Sequence, residues 1–134
     1  MKGFVCIKEL DFVSFLVAVE NQILLSKYKD NSTIDKVKAL QIIEDSYTFI
    51  KSYKLNYGLI DNRAAFLNTT EEARQLLSNN KSLKLLKVQA VLVKTLADRI
   101  NTNYFIQVSK PIIPFKAFEE EVKALKWLEN FKTA

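Results

Sequence analysis

A short apolar stretch, residues 55–61, constrains the fold more than any other part of the chain. Its side chains are mostly large and apolar or aromatic, and Asp61 ends the run. Short strands with few polar residues are typical of the middle of a parallel sheet that is covered on both faces. In an open α/β sheet, sites form beyond the carboxyl ends of the strands. We therefore expect any functional site at the polar segment that follows, residues 61–70, which we call the 61–70 loop.

Strand and helix patterns alternate along the rest of the chain. Two apolar runs, residues 12–19 and 23–28, flank a polar tip and predict an antiparallel hairpin. The other patterns are strands at residues 4–10, 87–94 and 112–116, and helices over residues 34–50, from Thr69 or Thr70, after Thr95, and over residues 118–131. This alternation predicts an α/β fold with a mixed, mostly parallel sheet, an N-terminal β-hairpin and about four helices, in a single domain over residues 1–134.

The composition excludes most catalytic chemistry. The sequence has no His, one Cys and two Gly. His is the commonest general base and metal ligand, and phosphate-binding loops and dinucleotide fingerprints need several Gly. A catalytic triad, a P-loop, a dinucleotide fingerprint and a Cys-based zinc cluster are all excluded. We therefore predict that the protein is not an enzyme and binds neither a cofactor nor a metal ion.

The sequence also indicates a cytoplasmic protein without a membrane span. Residues 1–9 hold an apolar run that is too short for a signal peptide and ends in charge. No window approaches the roughly 18–20 apolar residues that a bilayer span requires. A single Cys cannot form an intramolecular disulfide, which favours a reducing compartment.

Positive charge is concentrated in residues 81–116, where seven basic residues stand against Asp98 alone, within a net charge of +5. One hypothesis is a basic face for an acidic partner or a nucleic acid. The other is a set of lysines on the solvated ends of helices and strands. Platforms for nucleic acids usually carry exposed aromatic residues beside their basic groups, and no such ladder accompanies these lysines. We do not expect nucleic-acid binding.

Four segments of the last 80 residues resemble one known family. They are residues 59–61 (LID), 90–93 (AVLV), 103–118 (with NYF, KP and PFKAF) and 124–128 (ALKWL). Their arrangement is similar to the central strand ending in Asp, the following strand, the segment before the final helix and the terminal Ala-x-x-Trp-Leu pattern of STAS-like proteins. The chain thus resembles the STAS-like fold and, within it, the anti-sigma-factor-antagonist-like (SpoIIAA-like) family of small bacterial proteins. The first 50 residues match in element order only.

This resemblance implies a regulatory module that binds another protein rather than an enzyme. In antagonists of that family, a partner kinase phosphorylates a Ser in an Asp-Ser-Ser-Gly motif just after the central strand. Residues 61–64 read Asp-Asn-Arg-Ala here, so the phospho-switch motif is not retained. Thr69 and Thr70 are the nearest hydroxyls and hence the candidate phosphoacceptors, although a helix-capping role explains them without phosphorylation.

The function that we predict is protein binding through the 61–70 loop and the start of the helix after it. The partner is a protein of unknown identity, and a homodimer is one possible form of the contact. The predicted partner-binding residues are Asp61, Asn62, Arg63, Thr69 and Thr70.

The alternative function is that of a carrier for a small apolar ligand or lipid, since related folds can enclose such ligands between helix and sheet. Its candidate residues are aromatic, and a packed core explains them as well. They are Tyr104, Phe105, Phe115 and Phe118.

Two single residues carry narrower predictions. Cys6 lies in an apolar strand pattern and is expected in the core. Trp127 lies off the apolar stripe of the last helix, so it either anchors a partner or covers an edge of the sheet. That predicted stripe consists of Phe118, Val122, Leu125, Leu128 and Phe131.

Overall fold

A six-stranded sheet forms the centre of the protein, as seen in a computed structural model that describes residues 1–132. The strands are β1 (Val5–Glu9), β2 (Val13–Ala18), β3 (Ile23–Tyr28), β4 (Thr33–Ile34), β5 (Tyr57–Asp61), β6 (Asn68–Thr69), β7 (Val88–Leu92) and β8 (Phe115–Phe118). The sheet has the order β1-β2-β3-β5-β7-β8, while β4 and β6 form a separate parallel pair. Thr133 and Ala134 lie outside the described residues.

The first three strands are antiparallel, and β2 and β3 form the predicted hairpin. Ala18 pairs with Ile23 across the turn, and the N–H of Gln22 donates to the carbonyl oxygen of Val19 at 3.1 Å. Gln22 has a φ of 59°, in the left-handed region that tight turns often use. From β3 onward, neighbouring strands are parallel, so the predicted mixed, mostly parallel sheet is confirmed.

Four helices accompany the strands, as predicted. They are α1 (Lys36–Tyr53), α2 (Glu71–Ser78), α3 (Leu96–Ser109) and α4 (Glu121–Asn130). The hydroxyls of Thr70 and Thr95 accept the N–H groups of Ala73 and Asp98 at 3.2 and 3.1 Å, so both capping predictions are confirmed. Helices α1, α2 and α3 are the crossovers between parallel strands, which brings the carboxyl ends of β3, β5, β7 and β8 to one edge of the sheet.

Alternate residues of the central strands face opposite sides of the sheet. On the first side, which we call the α4 face, Leu59 and Ala90 are buried against Ala124 and Leu128 of α4. The second side, which we call the three-helix face, lies towards α1, α2 and α3. One cross-strand row on the three-helix face consists of Leu24, Gly58, Gln89 and Phe115.

Two predictions about the core are wrong. In α4 the expected inner residue Val122 is 75% exposed, and the small side chain of Ala124 is buried instead. An alanine at this position lets the helix approach the sheet closely, which a pattern of large apolar residues does not reveal. Phe118 belongs to β8 rather than to the last helix. Cys6 is exposed because β1, which contains it, is an edge strand.

Candidate functional site

Asp61, the first predicted site residue, is buried at the end of β5, with 3% of its surface exposed. Its Oδ1 accepts the backbone N–H of Arg63 at 3.0 Å and the side-chain Nε of Arg63 at 2.9 Å. Its Oδ2 accepts Nη2 of Arg63 at 2.8 Å. This two-pronged contact is the strongest geometry available to an arginine and a carboxylate.

Arg63 also ties the 61–70 loop to α4. Its Nη2 donates to Oε1 of Glu121 at 2.7 Å. Glu121 lies in the first turn of α4, where a carboxylate also meets the positive end of the helix dipole. Asp61, Arg63 and Glu121 therefore form one ion-pair network on the α4 face. Glu121 follows Arg63 by 58 residues, so no local spacing in the sequence reveals this partner.

The network determines the protonation of Asp61. Burial by itself raises the pKa of this carboxyl group, but the hydrogen bonds from Arg63 and the charges of Arg63 and Lys27 outweigh burial and hold the pKa of Asp61 below its ordinary value. The hydrogen bond to Asp61 in turn raises the pKa of Arg63. Asp61 is thus an ionised carboxylate engaged in a structural pair.

The other predicted site residues lie elsewhere. Asn62 and Thr69 line a cavity on the three-helix face, and Thr70 caps α2. Thr69 is also held in the short β4–β6 pair, opposite Ile34. The sequence did not predict this pair, since a two-residue strand has no periodic pattern. The predicted site residues are therefore divided between the two faces of the sheet.

Phe66 is a further functional candidate in the 61–70 loop, and no sequence pattern singles it out. Its side chain is 85% exposed, and its φ of 53° is uncommon for an aromatic residue. The backbone around it is fixed: the N–H of Asn31 donates to the carbonyl oxygen of Ala65, and the N–H of Ala65 donates to the carboxylate of Asp30, both at 2.8 Å. A fixed, exposed aromatic side chain is a typical anchor in protein interfaces. Nothing in the sequence separates Phe66 from a core phenylalanine.

A cavity of about 360 Å³ lies between the three-helix face of the sheet and the helices around it. Its floor includes Gly58 and Gln89, and its walls include Ile42 of α1, Leu77 of α2 and Ile106 of α3. Small-molecule sites typically have volumes of roughly 300–1,000 Å³. The cavity is therefore large enough for a small ligand.

Besides the hydroxyl of Tyr28, three buried serine and glutamine side chains line this cavity without a hydrogen-bond partner among the described residues. Ser26 of β3, Ser46 of α1 and Gln89 of β7 are 3%, 8% and 6% exposed. None of the three side chains makes a hydrogen bond to another group within residues 1–132. Among the described residues, the fully enclosed side-chain polar atom without a partner is Oδ2 of Asp45, so the polar atoms of these three side chains keep accessible surface at the cavity, where water or a ligand can bond to them. These side chains are available to a molecule in the cavity.

Gly58 makes room for Gln89 in the floor of the cavity. A Cβ on Gly58 would lie 2.6 Å from Oε1 of Gln89 and 3.0 Å from Cδ1 of Leu86. The first distance is shorter than real Cβ atoms show, so the carboxamide of Gln89 would have to move, and Leu86 would have to shift by a few tenths of an ångström. The absence of a side chain at Gly58 therefore allows the carboxamide of Gln89 to lie over β5.

Arg74 of α2 is the only charged residue among the described residues that line the cavity. Its Nη2 donates to the carbonyl oxygen of Thr69 at 3.2 Å, and its guanidinium carbon lies 5.5 Å from the centre of the Phe105 ring of α3. Arg63 and Arg99 both pair with carboxylates. Arg74 has no carboxylate partner in the described part of the chain, and its side chain is exposed at the cavity.

The outward side of α3 is apolar. Leu96, Ile100, Tyr104 and Val108 recur at every fourth position and are 52–69% exposed; we call these four residues the α3 outer face. No residue of α3 is fully buried, and its two charged residues lie off this stripe. The solvent-facing side of a surface helix is normally polar or charged. A contiguous exposed apolar patch often marks an interaction surface.

The four aromatic residues predicted for a carrier do not meet in one place. Phe105 and Phe115 line the cavity, while Tyr104 belongs to the α3 outer face. Phe118 packs on the α4 face, with its ring 5.5 Å from that of Trp127. Phe118 belongs to the edge strand β8, so this contact agrees with the edge-covering alternative for Trp127.

No group of three or more His, Cys, Asp or Glu side chains within residues 1–132 is placed to hold a metal ion. In the same part of the chain, none of the helices has the length and apolar character needed to cross a bilayer. The features described for binding are the 61–70 loop, the cavity and the α3 outer face.

Comparison with known proteins places the chain in a family. A family model described as a domain of unknown function, DUF7793, matches residues 17–132, and the chain belongs to this family. The match begins at the end of β2 and includes every later element through α4. No curated protein matches the chain.

A solved structure shows the same fold. The chain is similar to the crystal structure of an uncharacterized protein from the DUF3478 family with a SpoIIAA-like fold, from Shewanella loihica PV-4. The TM-score is 0.56 at 17% sequence identity, and the match covers 93% of this chain and 91% of that one. The predicted STAS-like, SpoIIAA-like fold is confirmed. At this identity the likeness concerns the fold, and function has to be argued from the sites.

Proposed function

We propose that this chain is a non-catalytic, cytoplasmic protein-binding module, and that the α3 outer face is its docking surface. The observation that carries this proposal is the stripe of four large apolar side chains, each more than half exposed, on a helix without a buried residue. The fold supports the proposal, because SpoIIAA-like proteins are generally non-catalytic and often interact with proteins. The lack of His in the sequence is consistent with it.

Burial of the α3 outer face would drive docking. Fully burying one such side chain contributes about 1.5–3 kcal/mol. Positions 96–108 span about 18 Å of helix at a rise of about 1.5 Å per residue. A standard stable interface uses about 20–30 residues on each side. The α3 outer face is smaller than that, so we expect a contact that forms and dissociates readily.

A second copy of the chain fits this surface best. The four residues of the stripe carry no charge, but the stripe lies within the basic segment 81–116 of a chain with a net charge of +5, so charge repulsion opposes the contact and burial of apolar area has to drive it. Rows of residues spaced by four interdigitate when two helices pack. An antiparallel pair about a twofold axis places Leu96 against Val108 and Ile100 against Tyr104 of the other copy.

Sedimentation velocity over a range of protein concentrations tests this proposal. The variant Ile100→Lys places a charge within the stripe, and Val122→Lys makes the same kind of change at an exposed apolar position of α4. We expect the wild type and Val122→Lys to associate as concentration rises and Ile100→Lys to stay monomeric. Circular dichroism should confirm that all three are folded.

Two results would contradict self-association: a wild type that stays monomeric up to about millimolar concentration, or an equal loss in Val122→Lys. The same variants serve as baits in a cell lysate. If the wild type and Val122→Lys capture a different protein that Ile100→Lys does not, protein binding at α3 stands and the second copy is the wrong occupant.

The 61–70 loop remains a predicted contact, and the exposed side chain of Phe66 supports it. Arg63 is a poor probe of that contact because its substitution also breaks the network with Asp61 and Glu121. Phe66→Ser leaves the network intact and tests the loop directly by loss of partner capture. Phosphorylation at Thr69 or Thr70 likewise remains a prediction; at Thr70 it would remove the hydroxyl hydrogen bond that caps α2.

Small-ligand carriage is the second candidate, and the cavity with its three unpartnered polar side chains favours it. Native mass spectrometry of protein purified from cells tests this function. A co-purifying small molecule would support carriage, while a mass equal to that of the bare chain would count against a carrier that is loaded in the cell.

A further inference from the structure

We propose that the cavity binds a small amphipathic monocarboxylate, with an uncharged hydrogen-bonding group at its inner end, an apolar body and the carboxylate at Arg74. This inference names the ligand class for the second candidate function and rests on it. It uses other residues than docking at the α3 outer face, which lies on the other side of that helix.

The volume of the cavity limits the size of the ligand. The volume of about 360 Å³ lies near the lower end of the roughly 300–1,000 Å³ range of small-molecule sites. Membrane lipids with two acyl chains are several times larger. The ligand is therefore a small acid rather than a phospholipid.

The interior requires an uncharged, partly apolar ligand body. The residues that line the cavity, apart from Arg74, are all apolar or uncharged, and its walls include Ile42, Leu77 and Ile106. A charged group placed among them would be desolvated without a counter-charge. An apolar ligand body displaces water from these walls, and the favourable free energy is proportional to the apolar area that it covers.

The inner end requires hydrogen bonding without charge. Ser26 and Ser46 offer hydroxyls, and Gln89 offers both a donor and an acceptor. A hydroxyl on the ligand can both donate and accept a hydrogen bond. It can therefore bond to the side chains that have no partner in the protein. A purely apolar ligand would cover these groups and leave them unpartnered, which is costly in a buried site. Water is the competing occupant, since it too can bond to all three side chains.

The positive guanidinium of Arg74 indicates that the ligand carries a negative charge. It is exposed, it makes no ion pair within residues 1–132, and it lies above the ring of Phe105, which also lines the cavity. A carboxylate can accept two parallel hydrogen bonds from a guanidinium. The ligand carboxylate can therefore stay in contact with solvent while the rest of the molecule is buried.

Isothermal titration with two hydroxy acids, para-hydroxyphenylpropionate and omega-hydroxydecanoate, tests the proposal. Each carries a hydroxyl, an apolar body of suitable size and one carboxylate. Two matched compounds each lack one group: phenylpropionate has no hydroxyl, and para-ethylphenol has no carboxylate. We expect saturable binding of at least one hydroxy acid by the wild type and weaker binding of both matched compounds.

Three variants locate the binding. Gln89→Leu and Arg74→Gln should each weaken binding of the hydroxy acid about tenfold or more, while Arg99→Gln, a matched change at an arginine outside the cavity lining, should leave it unchanged. Gln89→Leu should weaken the binding of phenylpropionate only slightly, because that compound has no hydroxyl that could bond to Gln89. If Gln89→Leu does not fold, Ser26→Ala replaces it.

Two outcomes overturn the proposal: no saturable binding of either hydroxy acid at about millimolar concentration, or affinities that are unchanged in both Gln89→Leu and Arg74→Gln. The result of native mass spectrometry separates this failure from that of carriage itself. A co-purified molecule together with no binding of either acid would retain carriage and reject the ligand class.

Discussion

The two faces of the sheet are built from alternate residues of the same strands, and both carry a buried apolar cluster, yet only the three-helix face also leaves a cavity. On the α4 face, Leu59 and Leu128 are almost completely buried, and a single helix covers the strands. On the three-helix face, Ser26, Gly58 and Gln89 lie in the strands, and a cavity of about 360 Å³ remains beneath three helices. We infer that both faces hold the fold together and that the three-helix face, through its cavity, is the one suited to binding a small molecule.

Polar groups show the same contrast. On the α4 face, the buried carboxylate of Asp61 receives three hydrogen bonds from Arg63, which is held in turn by Glu121. On the three-helix face, the side chains of Ser26 and Gln89 receive none from the described residues. Paired polar groups contribute to a rigid structure, whereas unpaired buried groups carry a cost that a bound molecule can remove.

Truncating one apolar residue on each face gives the largest expected difference. Leu128→Ala, on the α4 face, should lower the free energy of unfolding by about 2–5 kcal/mol, because the surrounding core cannot close around the lost atoms. Ile106→Ala, on the wall of the cavity, should cost about 1 kcal/mol or less, since Ile106 is only half-buried and already borders open space. Urea denaturation of both variants measures this difference. Equal losses would remove the contrast in packing.

Breaking the ion-pair network should have the next largest effect. Arg63→Ala leaves the carboxylate of Asp61 buried without its partner, and we expect a loss of about 2–3 kcal/mol in the free energy of unfolding. This figure is below that of a fully buried pair because the side chain of Arg63 is 32% exposed. Arg99→Ala breaks a pair with Glu119 at the surface and should cost at most about 1 kcal/mol.

A rescue experiment sharpens this prediction. Adding Asp61→Asn to Arg63→Ala removes the uncompensated charge and should restore part of the lost free energy of unfolding. If the double variant is less stable than Arg63→Ala, the cost arises from lost packing rather than from the unpaired carboxylate.

Replacing the unpartnered amide on the three-helix face should stabilise the protein. Gln89→Leu keeps a similar volume and removes polar atoms that have no partner, so we expect the free energy of unfolding of the ligand-free protein to rise by about 1 kcal/mol. Gln41→Leu, at an exposed position of α1, is the matched control and should change it by less than about 0.5 kcal/mol. A clear loss of stability in Gln89→Leu would mean that water already completes the bonding of the amide.

Acid should destabilise the folded protein by protonating Asp61 on the α4 face. The pKa of Asp61 is lower in the folded protein than its ordinary value of 3.8. The stabilisation from its ionised form is therefore complete above that value and is lost as pH falls through the lower pKa of the folded state. Thermal unfolding of the wild type and Asp61→Asn, followed from about pH 6 to about pH 2, should show a smaller acid-induced loss in the variant. Parallel curves would exclude Asp61 as a source of the acid sensitivity.

The sequence predicts those features that depend on neighbouring residues. The hairpin, the caps at Thr70 and Thr95 and the position of Asp61 at the end of a buried strand all follow from local patterns. The pairing of Arg63 with Glu121 and the space left beneath α3 depend on how distant segments pack, so no local pattern contains them. The apolar stripe of α3 was visible at four-residue spacing, but it faces solvent. Four-residue spacing predicts an apolar helix face. It does not tell whether the sheet, another protein or solvent lies against that face.

Helix α3 has one side on the cavity and the opposite side towards solvent, and it has no buried residue. Its side-chain link to the sheet includes the amide oxygen of Asn103, which accepts the N–H of Ala117 in β8 at 2.9 Å. If a molecule bound beneath α3 shifted this helix and thereby altered protein docking on its outer face, thermodynamic linkage would require docking to alter the affinity of the cavity by the same factor.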